Sequence, residues 1–402
     1  MEQKRPAKTH ILSWITLACF AAGGVLGLFL PQLFDRIGFI GTVYINLLKL
    51  MALPIVLCTV FCAASRGMKS AAGTLFRAVL LFVVLFTVSF LLSGALYAIL
   101  SPGKGFTLIS GEVWSGDPAD LTLEGFFQSI FSPNIFASLG SGAMLPAILF
   151  AFFTGAVAEK VGAHRLTALV GELETVFSRM LSYILWLTPL GVFVLMGKCT
   201  SDFGVNALGG ALSYVLYAWG GSVLILLLVM ILPLWVFCRI DPITYFRKTG
   251  RALLTAVSTC SSAATLPETL RTCKEEFGVP DETAGVVAPL GCTIHMCGGA
   301  VSFCLLAMFT MQMTGRSITV GTFLLMLVFA EALNMAAPGI PGGGIVLGAT
   351  FLSLLGMQEI GLFLGMYAGI YRLLDMAYTS LNVAGDVTAV LLIHRWEGRK
   401  RL

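Results

Sequence analysis

Charge is what this sequence has least of. Asp, Glu, Lys and Arg make up 11% of its 402 residues, against about 25% in an ordinary soluble domain. With 57% hydrophobic residues and a mean hydropathy of +0.91, that scarcity excludes a soluble globular chain and implies a polytopic membrane protein. Histidine is sparse too: there are four, with no H-E-x-x-H spacing among them. His10, His164 and His394 fall near predicted helix ends. His295 and Cys297 therefore lack the further partners of a transition-metal site, which wants about three or four protein ligands. No base lies near Ser261 or Ser262 in the sequence, so serine chemistry and an intramembrane enzyme are poorly supported. The ten cysteines have no paired spacing. Cys19, Cys58, Cys62, Cys238, Cys292, Cys297 and Cys304 lie in or beside apolar spans and read as small buried hydrophobes. A net charge of +4, collected in short loops and at the two ends, offers no face for nucleic acid and reports orientation instead.

Apolar length is abundant. "ILSWITLACFAAGGVLGLFL" follows the basic "KRPAKTH" and starts like a signal peptide. It is nevertheless long enough to cross roughly 30 Å of hydrocarbon, so it reads as a retained first helix. Further segments over 38–62, 74–100, 143–158, 167–198 and 207–238 each suit a spanning helix. Arg66, Lys69 and Arg77 share one loop, and Arg239, Arg247, Lys248 and Arg251 another. Segment 101–127 instead carries Glu112, Asp117, Asp120 and Glu124 against Lys104. This bias predicts a multi-pass protein of the cell membrane with both termini cytoplasmic.

Beyond residue 240 the pattern changes. "LLTAVSTCSSAATLPETL" and "LNMAAPGIPGGGIVLGATFLSLLG" each consist of an apolar arm, a break of small residues or Gly and Pro, and a second arm. Irregular backbone at membrane depth is tolerated only where protein buries it or where it lines a cavity. Two such breaks flanking the 284–313 segment predict a binding site at mid-depth. A Gly-rich loop or a close helix contact is the plainer account of either break alone.

The last apolar segment holds Asp375, Thr379, Asn382 and Asp386, spaced by four, three and four residues and so on one face of a helix. Each carboxylate costs about 2.5–3.5 kcal/mol on insertion scales, so both should face a cavity, an ion or a partner charge. Arg372, three residues before Asp375, offers a structural ion pair as the alternative. Chemically, Asp375 can accept from an ammonium group, Thr379 and Asn382 can donate to a carboxylate, and Asp386 is a hard oxygen ligand for a small cation. A zwitterion site beside a cation site is what ion-coupled amino-acid uptake needs.

In these motifs the chain resembles the dicarboxylate/amino acid:cation symporters, the glutamate-transporter-like family. The carriers are "SSAATLP" at 261–267, "PLGCTIHMCGGA" at 289–300, "AAPGIPGGG" at 336–344 and "DMAYTSLNVAGD" at 375–386. Weaker echoes at 138–157 and 238–257 extend the likeness over most of the chain. The resemblance implies an all-α polytopic membrane protein, with eight transmembrane helices and two re-entrant hairpins, working as an elevator-type transporter and a homotrimer. It divides the chain into a cytoplasmic N-terminus (1–10), scaffold helices 1–2 (11–69), transport-domain helix 3 (74–100), scaffold helices 4–5 (125–200) and the rest of the transport domain (205–398). Within the last lie helix 6, hairpin 1 near 242–275, helix 7 near 284–313, hairpin 2 near 320–357 and helix 8 near 360–395. It implies that Ser261, Ser262 and the backbone around Gly339 hold the substrate carboxylate, that Asp375 takes the amino group, and that Thr379 and Asn382 complete the cradle. Asp386, Asn382 and the Gly291 backbone would form one cation site, and the backbone around Thr293, Met296 and the second hairpin another. The coupling ion would be Na+, H+ or both, with no other metal and no cofactor.

Departures from the family pattern carry information. Where members that take acidic amino acids place an arginine, this chain has Cys260 and Tyr378. A small neutral amino acid is then favoured as substrate, with Tyr378 narrowing the pocket; an acidic one stays open, as does Arg372 as an anion partner. Asp375 argues against a pure dicarboxylate, the runner-up, because two carboxylates repel at low dielectric. An anion channel is more distant, since one mid-depth site with an amine acceptor suits a carrier. His295 and Cys297 stand where the family has an asparagine and an aspartate of a deep sodium site, and the facing "FVVLFTVSF" at 82–90 offers only Thr87 and Ser89. Imidazole and thiol are poor ligands for an alkali cation, so that site is predicted lost. His295 then has two readings, a proton carrier or a packed, hydrogen-bonded side chain.

Overall fold

A computed structural model of the chain describes residues 6–67, 72–103, 131–141, 144–335, 342–357 and 361–398. Among them no strand occurs, and the chain is a succession of helices. The first seven are α1 (Pro6–Phe29), α2 (Pro31–Gly67), α3 (Ala72–Leu100), the short α4 (Ile135–Ser141), α5 (Met144–Lys160), α6 (His164–Leu185) and α7 (Thr188–Phe203). There follow α8 (Asn206–Ile225), α9 (Pro242–Thr259), α10 (Ser262–Arg271), α11 (Asp281–Ile294), α12 (Cys297–Met313), α13 (Val320–Asn334), α14 (Gly343–Leu354) and α15 (Gly361–Trp396). By length and hydropathy five elements among the described residues can cross a membrane, or six if a bent pair is one span.

The bent pair is α6 and α7, which meet at 52° where a single span over 167–198 is expected. Pro189, in the first turn of α7, supplies the reason: it has no N–H for the carbonyl one turn back, and its ring crowds that carbonyl. Proline acts likewise in α8, whose continuation runs in wide π-type turns over Leu226–Ile231 and Leu234–Cys238 on either side of Pro233.

The segments expected to form the two hairpins contain α9 with α10 and α13 with α14. At 1.5 Å per residue, α10, α13 and α14 reach only about 15, 22 and 18 Å, short of the roughly 30 Å of hydrocarbon. In the first hairpin the chain turns at Cys260, whose φ of 50° is left-handed. In the second, residues 336–341 lie outside the described residues, and with them Gly339. The loop charges Lys69, Lys104, Glu112, Asp117, Asp120 and Glu124 lie outside them as well.

Burial separates an inside from an outside. In α12, 15 of 17 residues are buried, which suits an apolar helix at the centre of the molecule, and α15 beside it is almost as enclosed. The outer helices expose Phe150, Phe152 and Phe153 on α5 and Leu166, Leu169, Leu173, Val176, Met180 and Tyr183 on α6. Helices α1 and α7 approach through small residues: a Cβ on Gly23 or Gly27 would strike the backbone carbonyl of Phe193 or Gly197. Lys198 then ties α7 to α2 through Asp35 at 2.6 Å and lies 2.8 Å from Asp202.

Candidate functional site

Three interruptions between helices and one face of α15 surround a cavity of about 50 Å³, lined by Cys260 and Ser262 from the α9–α10 turn and by Met296 and Gly299 from the α11–α12 break. Asn334 and Gly344, either side of the second tip, face Tyr371, Asp375, Tyr378, Thr379 and Asn382 from α15. The cavity thus has one acidic side chain and, among the described residues, no basic one.

The break between α11 and α12 is sharp. His295 and Met296 are extended, with φ/ψ of −123°/92° and −119°/84°. A helix end leaves its last four carbonyls without intrahelical donors, so the final turn of α11 turns backbone oxygens toward the gap. These are the hard donors that an alkali cation prefers. The N-termini of α10 and α14 reach the cavity through Ser262 and Gly344 and bring partial positive charge suited to a carboxylate. Ser261 caps α10, its Oγ accepting from the backbone N–H of Ala264 at 3.1 Å, whereas Ser262 lines the cavity.

On α15 the predicted stripe is buried along its length. Asp375 Oδ2 accepts from the N–H of Gly342 at 3.2 Å, and Oδ1 from the hydroxyl of Thr379 at 3.2 Å. Arg372 does not pair with Asp375. It donates to the carbonyl of Ser258 at 3.3 Å, and its Nε, buried, has no partner. The carboxylate is therefore tied to the N-terminus of α14 and the guanidinium to α9. Asn382 Oδ1 accepts from the N–H of Gly298 at 2.7 Å. Gly298 has no alternative there, since a Cβ would run into the Tyr378 backbone carbonyl.

Asp386 lies away from the cavity, beside Gly291, where a Cβ would collide with Asp386 Oδ1. Thr293 turns its hydroxyl back onto the carbonyl of Leu290 at 2.8 Å. His295 is wholly buried, its Nδ1 3.3 Å from Asp386 Oδ1, its Nε2 2.9 Å from Cys297 Sγ, and its face stacked on Phe82 at 4.4 Å. Both ring nitrogens thus have partners within hydrogen-bond distance.

The structure therefore gathers Ser262, Met296, Asp375, Tyr378, Thr379 and Asn382 at one cavity. It sets Gly291, Asp386, His295 and Cys297 together behind it. Asn334, Tyr371 and Phe303 also line the cavity and escaped the sequence reading. A signal for Asn334 existed: it and Glu331 are the two polar residues of "LVFAEALN", one helical turn apart. Outside the apolar region, Asp241 caps α9 at 3.0 Å from the N–H of Thr244, which holds its carboxyl below the usual range.

The sequence matches the model of the sodium:dicarboxylate symporter family over residues 12–396. It is 28% identical to the neutral amino acid transporter B(0) of Bos taurus, covering 98% of this chain and 82% of that one. It is 29% identical to the proton/sodium-glutamate symport protein of Bacillus caldotenax, covering 90% and 87%. Against the C4-dicarboxylate transport protein 1 of Pseudomonas aeruginosa it is 28% identical, covering 93% and 86%.

Proposed function

The chain belongs to the sodium:dicarboxylate symporter family, a family of transporters rather than enzymes, and from that membership we propose that it carries a small neutral amino acid together with a cation. The observation that carries this reading is the cavity's charge: one carboxylate, Asp375, and no basic side chain among the described lining residues. A zwitterion's ammonium group satisfies Asp375, and its carboxylate meets the N-termini of α10 and α14 with Ser262, Thr379 and Asn382 as further donors. A second carboxylate on the substrate would have no partner here, because Cys260 and Tyr378 stand at the two positions open to an arginine. The small volume and the ring of Tyr378 favour a short side chain. The C4-dicarboxylate relative keeps cation-coupled dicarboxylate symport as the second reading.

Asp386, Asn382 and the Gly291 backbone are the oxygen donors for one coupling cation, and the backbone of Thr293 and Met296 with the second hairpin those for another. Ser261 acts through the geometry of the first tip, and Gly339 belongs to the second. In this reading eight spans and two hairpins work as an elevator: helices 3, 6, 7 and 8 with the hairpins move against a scaffold of helices 1, 2, 4 and 5. Three copies assemble in the cell membrane with cytoplasmic termini. The exposed row from Leu166 to Tyr183, spaced by three and four residues, supplies a seam for assembly.

Uptake of radiolabelled amino acids into proteoliposomes, under sodium and proton gradients imposed one at a time, tests the proposal. The expected outcome is gradient-driven uptake of a small neutral amino acid, inhibited by its homologues. Uptake of C4-dicarboxylates without competition from any amino acid would remove Asp375 as the amine acceptor and leave the second reading.

A further inference from the structure

Glu331 is an acidic residue on α13, the first arm of the second hairpin, and none of the roles above uses it. The residue as a whole is half-buried, but its Oε2 is fully buried and has no hydrogen-bond partner among the described residues. One turn further on, Asn334 is 1% exposed; its amide nitrogen reaches the carbonyl of Ile294 at 3.5 Å, while its Oδ1 is also buried and unpartnered. Residues three apart on a helix are side-chain neighbours. Two acceptors one turn apart in an apolar helix therefore lack the same thing, a donor between them, and a buried acceptor left without one is costly.

Among the described residues, the elements packed on α13 provide no donor. From α12, the Cys297 thiol is held by His295 and that of Cys304 turns to Met308. From α3, Arg77 lies near Glu397 at 3.8 Å and Tyr97 bonds Gln312. Helix α14 has no ionisable residue. No cationic side chain on these elements compensates Glu331.

We propose that Glu331 is a proton-binding carboxyl, protonated while the first arm of the second hairpin packs on α12 and keeps Oε2 buried, and deprotonated when that arm lifts and water reaches Oε2. A proton converts the carboxylate into a carboxyl, adding one O–H donor beside the waiting oxygen of Asn334 and removing the charge from apolar surroundings. Proton binding thereby stabilises the closed arm, and a chain that closes with the proton on one side of the membrane and opens on the other carries it across. The inference rests on the reading of the protein as a cation-coupled carrier, and it assigns the proton to a residue outside the α15 stripe.

Infrared difference spectroscopy of the purified, substrate-free protein, wild type minus Glu331→Gln, isolates this group. The expected result is a protonated-carboxyl C=O band in the wild type that is lost in the variant and that alkaline titration converts to carboxylate. Glutamine offers a permanent donor, so the uptake rate of Glu331→Gln should become flat with pH at the level that the wild type shows in acid, while Glu331→Asp restores a pH dependence. The proposal is overturned if the band is unchanged by Glu331→Gln, if sodium rather than alkali converts it to carboxylate, or if the variant keeps the wild-type pH profile. A failure to find any amino-acid substrate would count against the proposed function alone, because the infrared measurement needs no transport.

Discussion

At the scale of single residues, the cavity is defined by what replaces a guanidinium. Cys260 lines it from the first tip and Tyr378 from α15, and Arg372 is engaged with the Ser258 carbonyl instead. A charge-assisted hydrogen bond contributes about 1.5–3 kcal/mol. Cys260→Arg should therefore shift selectivity toward acidic over neutral amino acids by roughly 10- to 100-fold, read as the ratio of inhibition constants in competition uptake. An unchanged ratio would mean that the first tip does not meet the substrate side chain. The two cation-side residues make the complementary point. His295 is read from sequence as either a proton carrier or a packed side chain, and the ring, with Asp386, Cys297 and Phe82 around it, has the partners that either role needs.

At the scale of elements, the contact between α12 and α15 holds the site together. It depends on Gly298, whose amide donates to Asn382 and whose missing side chain admits the Tyr378 carbonyl. Backbone cannot yield as a side chain can, so Gly298→Ala should destabilise the protein by about 1–3 kcal/mol, the range for overpacking. A thermal unfolding midpoint in detergent equal to that of the wild type would contradict the contact. The helix breaks were legible in sequence because Gly, Pro and small residues mark them locally. The bend between α6 and α7 was not: Pro189 lies inside an apolar run, and proline within such a run either kinks or starts a helix according to what packs around it.

At the scale of the whole molecule, the outer surface of α6 carries one of the exposed apolar rows. Leu166, Leu169, Leu173, Val176, Met180 and Tyr183 are all exposed on it, in the three-and-four spacing of an intermolecular helix seam. If this seam joins protomers, native mass spectrometry in mild detergent should find three copies of the wild type, and Leu173→Glu with Val176→Glu should yield single copies. A double variant that stays trimeric would assign the row to lipid.

What the sequence determined by itself is whatever depends on neighbours along the chain. Hydropathy over about 20 residues places the spans, and Gly and Pro place the interruptions. The spacing of Asp375, Thr379, Asn382 and Asp386 puts four polar groups on one face because helical periodicity is a property of a single segment. What only the tertiary structure decided is which polar atoms are satisfied. The pairings of Asp375 with Gly342, Asn382 with Gly298 and His295 with Asp386 join residues 33, 84 and 91 positions apart. The lack of a donor for Glu331 Oε2 and Asn334 Oδ1 among the described residues is likewise a fact about what packs around them. No local pattern encodes such pairings, because they arise only when separate helices are brought into register by burial of their apolar faces.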